Sequence, residues 1–243
     1  MTGGDNRSVR ARTRARHRAL SRAYGHLDGL ELLRVMIEDE FPGRIALVSS
    51  FGAEAAVLLD LVAQVDPATP VVFLDTGKLF PETLAYRRRL TAHLGLTNLH
   101  TIQPDVQELA GRDSDGSLWR RNPNSCCYLR KVLPLERALA GFEAWISGRK
   151  RFHGANRSGI ETIEAVDGRI KVDPLAQWSR EDVEMAFVTR NLPRHPLVDE
   201  GYLSIGCQPC TTRIGSEADL RAGRWEGSEK TECGIHKAGW SGA

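Results

Sequence analysis

The chain contains no run of about 18 apolar residues, so no segment reads as a membrane span. Its first residues hold no apolar stretch of the kind a secretory signal needs, so a reducing, cytoplasmic location is expected, which argues against structural disulfides. Internal repeats and low-complexity linkers are missing too, so the 243 residues fit one domain with one sizeable core. Acidic residues are absent from one place in particular, the stretch RSVRARTRARHRALSR at positions 7–22. A basic segment of this kind is a solvated arm or exposed helix, with a nucleic-acid arm or an organellar transit peptide as alternatives. The expected organisation is a basic N-terminal arm over 1–24, disordered or helical, and a single domain over 25–243 whose segment 215–243 is a C-terminal tail.

What is present alternates. LDGLELLRVMIEDEF has apolar residues at helical spacing, RIALVSS is a buried strand, AEAAVLLDLVAQV a helix and PVVFLDTG the next strand. A helix over 81–95, a strand at NLHTI, a helix through CCYLRKVLPLERALA and a strand at EAWISG follow. Strands alternating with helices predict an α/β fold with a doubly wound, mostly parallel sheet flanked by helices. Beyond residue 148 the pattern loosens into a basic loop, GRKRFHGANRSG, and one more helix, WSREDVEMAFVTRN.

Four groups of residues carry chemistry. In VSSFGAEAAV a strand runs into Ser49, Ser50, Phe51, Gly52 and Glu54 and then a helix, presenting hydroxyls and free N–H groups where an anion is stabilised. This is neither the G-x-x-x-x-G-K-[ST] loop nor the G-x-G-x-x-G fingerprint, and a tight turn capped by Ser50 is the plainer alternative. In FLDTGKLFPET, Asp75, Thr76 and Gly77 stand at a strand end, the edge where open α/β sheets bind ligands, although Asp and Gly also mark ordinary turns. The five cysteines divide into Cys126 and Cys127, Cys207 and Cys210, and a solitary Cys233. Four thiolates suit zinc or an iron-sulfur cluster, and adjacent cysteines with diverging side chains favour 4Fe-4S; a redox C-x-x-C and inert core thiols are the rivals. Arg130 and Lys131 follow the first pair, Arg149, Arg151 and Arg157 crowd one loop, and Arg213, Arg221 and Arg224 precede the tail. Singly such cations are surface residues, but a doubly anionic ligand needs several planar donors. Cys233, with Glu232, His236 and Lys237 beside it, is a candidate nucleophile.

SSFGAE, LDTGKLFPET, CCYLRKVLPL, WSREDV, NLPRHPLVDEGYLSIGCQPCT, RAGRW and KTECGIH occur in order from about residue 45 to residue 236, and together they resemble the assimilatory adenylyl-sulfate reductases of the phosphosulfate reductase family. The resemblance implies a pyrophosphate-loop adenine nucleotide-binding fold with the nucleotide phosphate at 49–54, a 4Fe-4S cluster on Cys126, Cys127, Cys207 and Cys210, and a nucleophile at Cys233. Two positions depart from the common pattern: His153 stands where glutamine is frequent, and Ile235 where leucine is.

The implied reaction is attack of the Cys233 thiolate on the sulfur of adenosine 5′-phosphosulfate, with release of AMP. Lys131, Arg149, Arg157, Arg221 and Arg224 are expected to bind the anionic substrate and His236 to assist. A thioredoxin or glutaredoxin-like dithiol then frees sulfite, and the tail closes over the substrate and swings out to meet it. A homo-oligomer is expected, without nucleic acid or membrane partners. The 3′-phosphorylated nucleotide is the alternative substrate. A tRNA-thiolating enzyme of the same fold and a metal-stapled nucleic-acid binder are the readings from other classes.

Overall fold

In a computed structural model of the chain, residues 3–154, 157–214 and 219–236 are described. The chain opens with α1 (Gly3–Tyr24) and α2 (Gly29–Arg34), which continues as a π-helical turn, Val35–Glu40. Then come β1 (Ile45–Ser49), α3 (Ala55–Val65), β2 (Val71–Leu74), α4 (Pro81–His93) and β3 (Leu99–Ile102). Four short helices follow: α5 (Val106–Arg112), α6 (Leu118–Arg121), α7 (Pro123–Cys127) and, after a π-helical turn Tyr128–Val132, α8 (Leu133–Ala138). The sheet is completed by β4 (Ala144–Ile146), β5 (Ile163–Val166) and β6 (Arg169–Val172), and α9 (Arg180–Thr189) follows.

The strands form one sheet in the order β3-β2-β1-β4-β6-β5, parallel except for β5 against β6. Every residue of β1, β2 and β4 is buried, as expected of strands covered on both faces. On one face Leu47, Phe73, Ile146 and Val172 pack with residues of α2, α3, α4 and α9. On the other, Val48, Val72, Leu74 and Trp145 pack with Leu135, Leu139 and, from the C-terminal segment, Ile235. Among the described residues no helix is long and apolar enough to cross a membrane.

The basic N-terminal stretch is a helix docked on the first of these faces. Thr13 Oγ1 donates to Gly168 O at 3.0 Å, His17 Nε2 lies 3.0 Å from Ile163 O, and Leu20 enters the core. Its arginines point outward, with Arg16 paired to Glu40.

The loosened region hides a β-hairpin that sequence periodicity did not mark. Asp167 and Gly168 both take positive φ, 48° and 81°, the conformation of a two-residue hairpin turn. The helix expected through CCYLRKVLPLERALA is interrupted by the π-helical turn, which ends just before Pro134. Proline has no N–H to return to the carbonyl four residues back, so a regular α-helical ladder cannot run through it.

Candidate active site

Strand order reverses between β1 and β4, and the carboxyl ends of these two strands open into a cavity of about 220 Å³. This is the crevice in which doubly wound sheets place their ligands. Ser49, Ser50, Gly52 and Glu54 form one wall and 147–150 the next, and the C-terminal residues 232–236 close the far side.

Phe51 makes the first wall possible. Its φ of 50° turns the chain sharply, its ring is fully buried edge-on to Phe73 at 5.4 Å, and its N–H donates to Ser49 Oγ at 3.2 Å. The loop then delivers Ser50 and Gly52 to the cavity beside the N-terminus of α3, whose dipole favours an anion. Phe51 is therefore the loop's buried anchor and does not line the cavity. Glu54 accepts from Lys150 Nζ at 2.8 Å and lies 2.9 Å from His153 Nε2. Burial alone would raise the Glu54 pKa, but Lys150 and then His153 outweigh it and hold the carboxyl well below its ordinary range.

The opposite wall is cationic. Arg157 grips Glu232 through Nε and Nη2, at 2.7 and 3.0 Å, and Arg221 Nη2 donates to the same carboxylate at 3.2 Å. Glu232 Oε1 also accepts from Cys233 N at 2.8 Å, tying the arginines to the backbone of the residue that carries the solitary thiol. Burial opposes ionisation of Glu232, yet Arg157 and Arg221 bring its pKa down to about 2. Burial, with Arg157 adding to it, lowers Arg221 to about 10. Arg224 lies over the Trp225 ring at 4.5 Å, and its Nε is buried with no hydrogen-bond partner among the described residues. Gly206 makes room for it, since a Cβ there would lie 2.2 Å from Arg224 Nη2. Lys131, Arg157, Arg221 and Arg224 thus face the cavity with one carboxylate, Glu232, among them, an excess of positive charge in a partly desolvated wall. Arg149 also lines the cavity, but its guanidinium is held by Asp173, at 2.6 Å, and by Glu164.

Cys233 is 9% exposed at the start of a 3₁₀ turn, Gly234–His236. A hydrogen bond with Cys127 lowers its pKa well below the thiol range; burial opposes this, and the Lys131 ammonium adds to the lowering. Cys127 is raised correspondingly, first by that hydrogen bond and then by burial. Burial works against the Lys131 ammonium, and negative charge on the sulfurs of Cys207, Cys233 and Cys127 acts the other way and raises its pKa above the ordinary lysine value. His236 lies parallel to the Trp145 ring at 6.2 Å, with Lys171 Nζ 3.2 Å from its Nδ1. Lys237 lies outside the described residues.

Behind Lys131, Cys126, Cys127, Cys207 and Cys210 line one hollow together with Lys78, Arg130 and Trp119. All four are free thiols. Neighbouring residues on a helix point about 100° apart, so Cys126 and Cys127 in α7 offer sulfurs in two directions. Among the described residues no three His, Cys, Asp or Glu side chains converge closely enough to enclose a single metal ion. Four thiols around one hollow are a donor set that suits a thiolate-bound group broader than one ion. Asp75, Thr76 and Gly77 belong to this side and not to the cavity: Thr76 Oγ1 is 3.2 Å from Cys207 Sγ, Arg130 donates to Thr76 O at 2.8 Å, and Asp75 Oδ1 accepts from Gly77 N at 3.0 Å.

Three residues of the site escaped sequence reasoning: Lys150, which neutralises Glu54, and Trp145 and Lys171, which hold His236. The Asp-Gly pair at 167–168 was a usable hairpin signal and would have placed Lys171 on a strand.

Residues 44–213 match the phosphoadenosine phosphosulfate reductase domain. An adenosine 5′-phosphosulfate reductase of Mesorhizobium japonicum is 48% identical over 225 residues, 93% of this chain and 89% of the relative. A phosphoadenosine 5′-phosphosulfate reductase of Gloeobacter violaceus is 42% identical over 201 residues, 81% of this chain and 83% of the relative. The crystal structure of a phosphoadenylyl-sulfate reductase from Candida auris, a phosphate complex, superimposes with a TM-score of 0.67 at 29% identity, covering 81% of this chain and 96% of that one. The domain match runs from the first strand of the sheet to just past the second cysteine pair, and on that ground the chain belongs to the phosphoadenosine phosphosulfate reductase domain family.

Proposed function

We propose that this enzyme reduces adenosine 5′-phosphosulfate to sulfite and AMP for sulfate assimilation. One observation carries most of the weight: the solitary thiol of Cys233 stands in the wall of a crevice that also holds Lys131, Arg157, Arg221 and Arg224. A thiolate approaching an anionic sulfonate is repelled unless cations neutralise the sulfonate oxygens, and these four can do so. The loop 49–54 and the α3 N-terminus take the nucleotide phosphate.

Cys233 Sγ attacks the sulfur of the substrate, the bond from that sulfur to the bridging oxygen breaks, and AMP departs with the electron pair. The product on the enzyme is S-sulfocysteine. An external dithiol of the thioredoxin or glutaredoxin type then attacks Cys233 Sγ, sulfite leaves, and the second thiol closes the partner's disulfide, so the two electrons come from the dithiol. For that exchange the 231–236 segment has to lift from the crevice, which gives the tail its purpose. Cys126, Cys127, Cys207 and Cys210 would hold a 4Fe-4S cluster. When bound, the cluster supplies a fixed scaffold and a local field beside Lys131.

The experiment is incubation with the nucleotide in the absence of reductant, followed by peptide mass spectrometry. A sulfonate adduct on Cys233, released as sulfite when thioredoxin is added, is the expected result; an unmodified Cys233 overturns the proposal. Running the 3′-phosphorylated nucleotide in parallel decides which substrate is preferred. Anaerobically purified protein should be brown, with about four irons per chain.

A further inference from the structure

Lys171 is fully buried on β6, where an ammonium is expensive to keep. Its nearest carboxylates, Glu164 and Asp173, are each 4.0 Å away, beyond hydrogen-bond reach, and both are engaged by Arg149. The one hydrogen bond its Nζ makes among the described residues joins it to His236 Nδ1, at 3.2 Å. The same ammonium sits 4.7 Å from the centre of the Trp145 ring, which lies parallel to the His236 imidazole. A strand lysine, a strand tryptophan and the tail histidine therefore form one packed unit, three residues along the chain from Cys233.

An ammonium donates and cannot accept, so the nitrogen facing it must be the unprotonated one. Resting on the proposed reduction of adenylyl sulfate, we infer that Lys171 is a positioning residue: it fixes His236 as the neutral tautomer carrying its proton on Nε2 and offers that N–H to an anionic oxygen in the cavity. The groups acting on the imidazole are otherwise Trp145 on β4, Arg149 and Arg157 on the loop after it, and Arg221 from the C-terminal segment, while Glu232 acts on Lys171. Burial first, and then the charges of Lys171, Arg157, Arg149 and Arg221, hold the His236 pKa well below its usual value. Burial also brings Lys171 down to about 8, with Asp173 opposing, so the ammonium persists at neutral pH. His236 then serves as a hydrogen-bond donor and not as a proton shuttle, because a second ring proton would have to enter a field of four cations.

The test is nitrogen-detected NMR of the full chain with labelled histidine at pH 7, the His236 signals being identified by their loss in His236→Asn. The wild-type protein should show Nε2 protonated and Nδ1 bare. Lys171→Met should mix the tautomers and lower kcat for sulfite release by about 10- to 100-fold with little change in KM. Lys171→Arg, also a pure donor, should restore the single tautomer and most of the rate. A wild-type spectrum with the proton on Nδ1, or a Lys171→Met spectrum identical to wild type, overturns the inference. If Lys171→Met fails to fold, the wild-type spectrum and Lys171→Arg still decide it. No substrate is needed for the spectra, so a protein that yields no sulfite would refute the proposed reaction without touching the tautomer result.

Discussion

Cys233 alone forms a bond in the proposed reaction, so Cys233→Ser should cut sulfite release by at least about 10³-fold while AMP still binds, as read by calorimetry beside a coupled assay. Arg224 offers a cleaner probe of charge than Arg157, whose loss would also strand Glu232. Because Arg224 Nε has no partner among the described residues, Arg224→Met should lower kcat/KM by about 10²-fold and leave the thermal midpoint nearly unchanged. A buried histidine outside the site sets part of the acid limit. His195 is fully buried, with Nε2 3.0 Å from Thr83 Oγ1 and Nδ1 accepting from Leu197 N at 3.2 Å, and burial, aided by Arg89, lowers its pKa to about 4. The unfolded chain takes up this proton near pH 6.5 and the folded one only near 4. Its contribution is therefore complete above 6.5 and disappears as pH falls toward 4, a loss of about 3 kcal/mol. Urea midpoints measured across that window should fall in the wild-type protein and flatten in His195→Gln.

Among the elements, the helical run through α7 and α8 depends on a buried pair. Arg130 donates to Asp113 through Nε at 3.0 Å and again through Nη2, and both side chains are almost wholly enclosed. Asp113→Ala would leave the guanidinium buried and uncompensated beside the cysteine hollow, so a loss of about 3–5 kcal/mol is expected in urea unfolding. Nothing local in the sequence joins residues 113 and 130, and that pairing could not be read from it. The parallel strands could be: IALVS and VVFL are β-branched runs bounded by turn residues, and burial on both faces is what such runs signify. The β5–β6 hairpin is hard to read because each strand is only four residues long, and RIKV, which alternates like a half-exposed strand, buries Lys171 at a position such a pattern leaves to solvent. That exception marks a functional position, where local rules are expected to yield. The cysteines and arginines were legible by type and spacing. Their division between the cavity and the hollow was not, since Thr76 and Ser50 lie at the ends of adjacent strands and only side-chain direction separates them.

Across the whole molecule, the sheet divides the labour between its faces. One is sealed by α1, α2, α3, α4 and α9, and the other receives α8 and then the C-terminal segment through Ile235 and His236. Because that segment packs on the outer side of the second face and supplies no strand, a chain ending at residue 230 should keep the sheet and the loop at 49–54. It should bind AMP, show a near-native circular dichroism spectrum and form no sulfite. Collapse of the truncated chain would instead mean that the segment is needed to complete the second face.

The tight fit between Gly206 and Arg224 has a practical corollary. Position 206 does not require a positive φ, and a methyl group added there would first meet the guanidinium end of Arg224, a long side chain that can yield. Gly206→Ala would thus act as a wedge, prying the guanidinium off its perch while the scaffold stays intact. An enzyme that melts normally yet turns over poorly would reveal how narrow a tolerance the loop before Cys207 must share with the cation beside it.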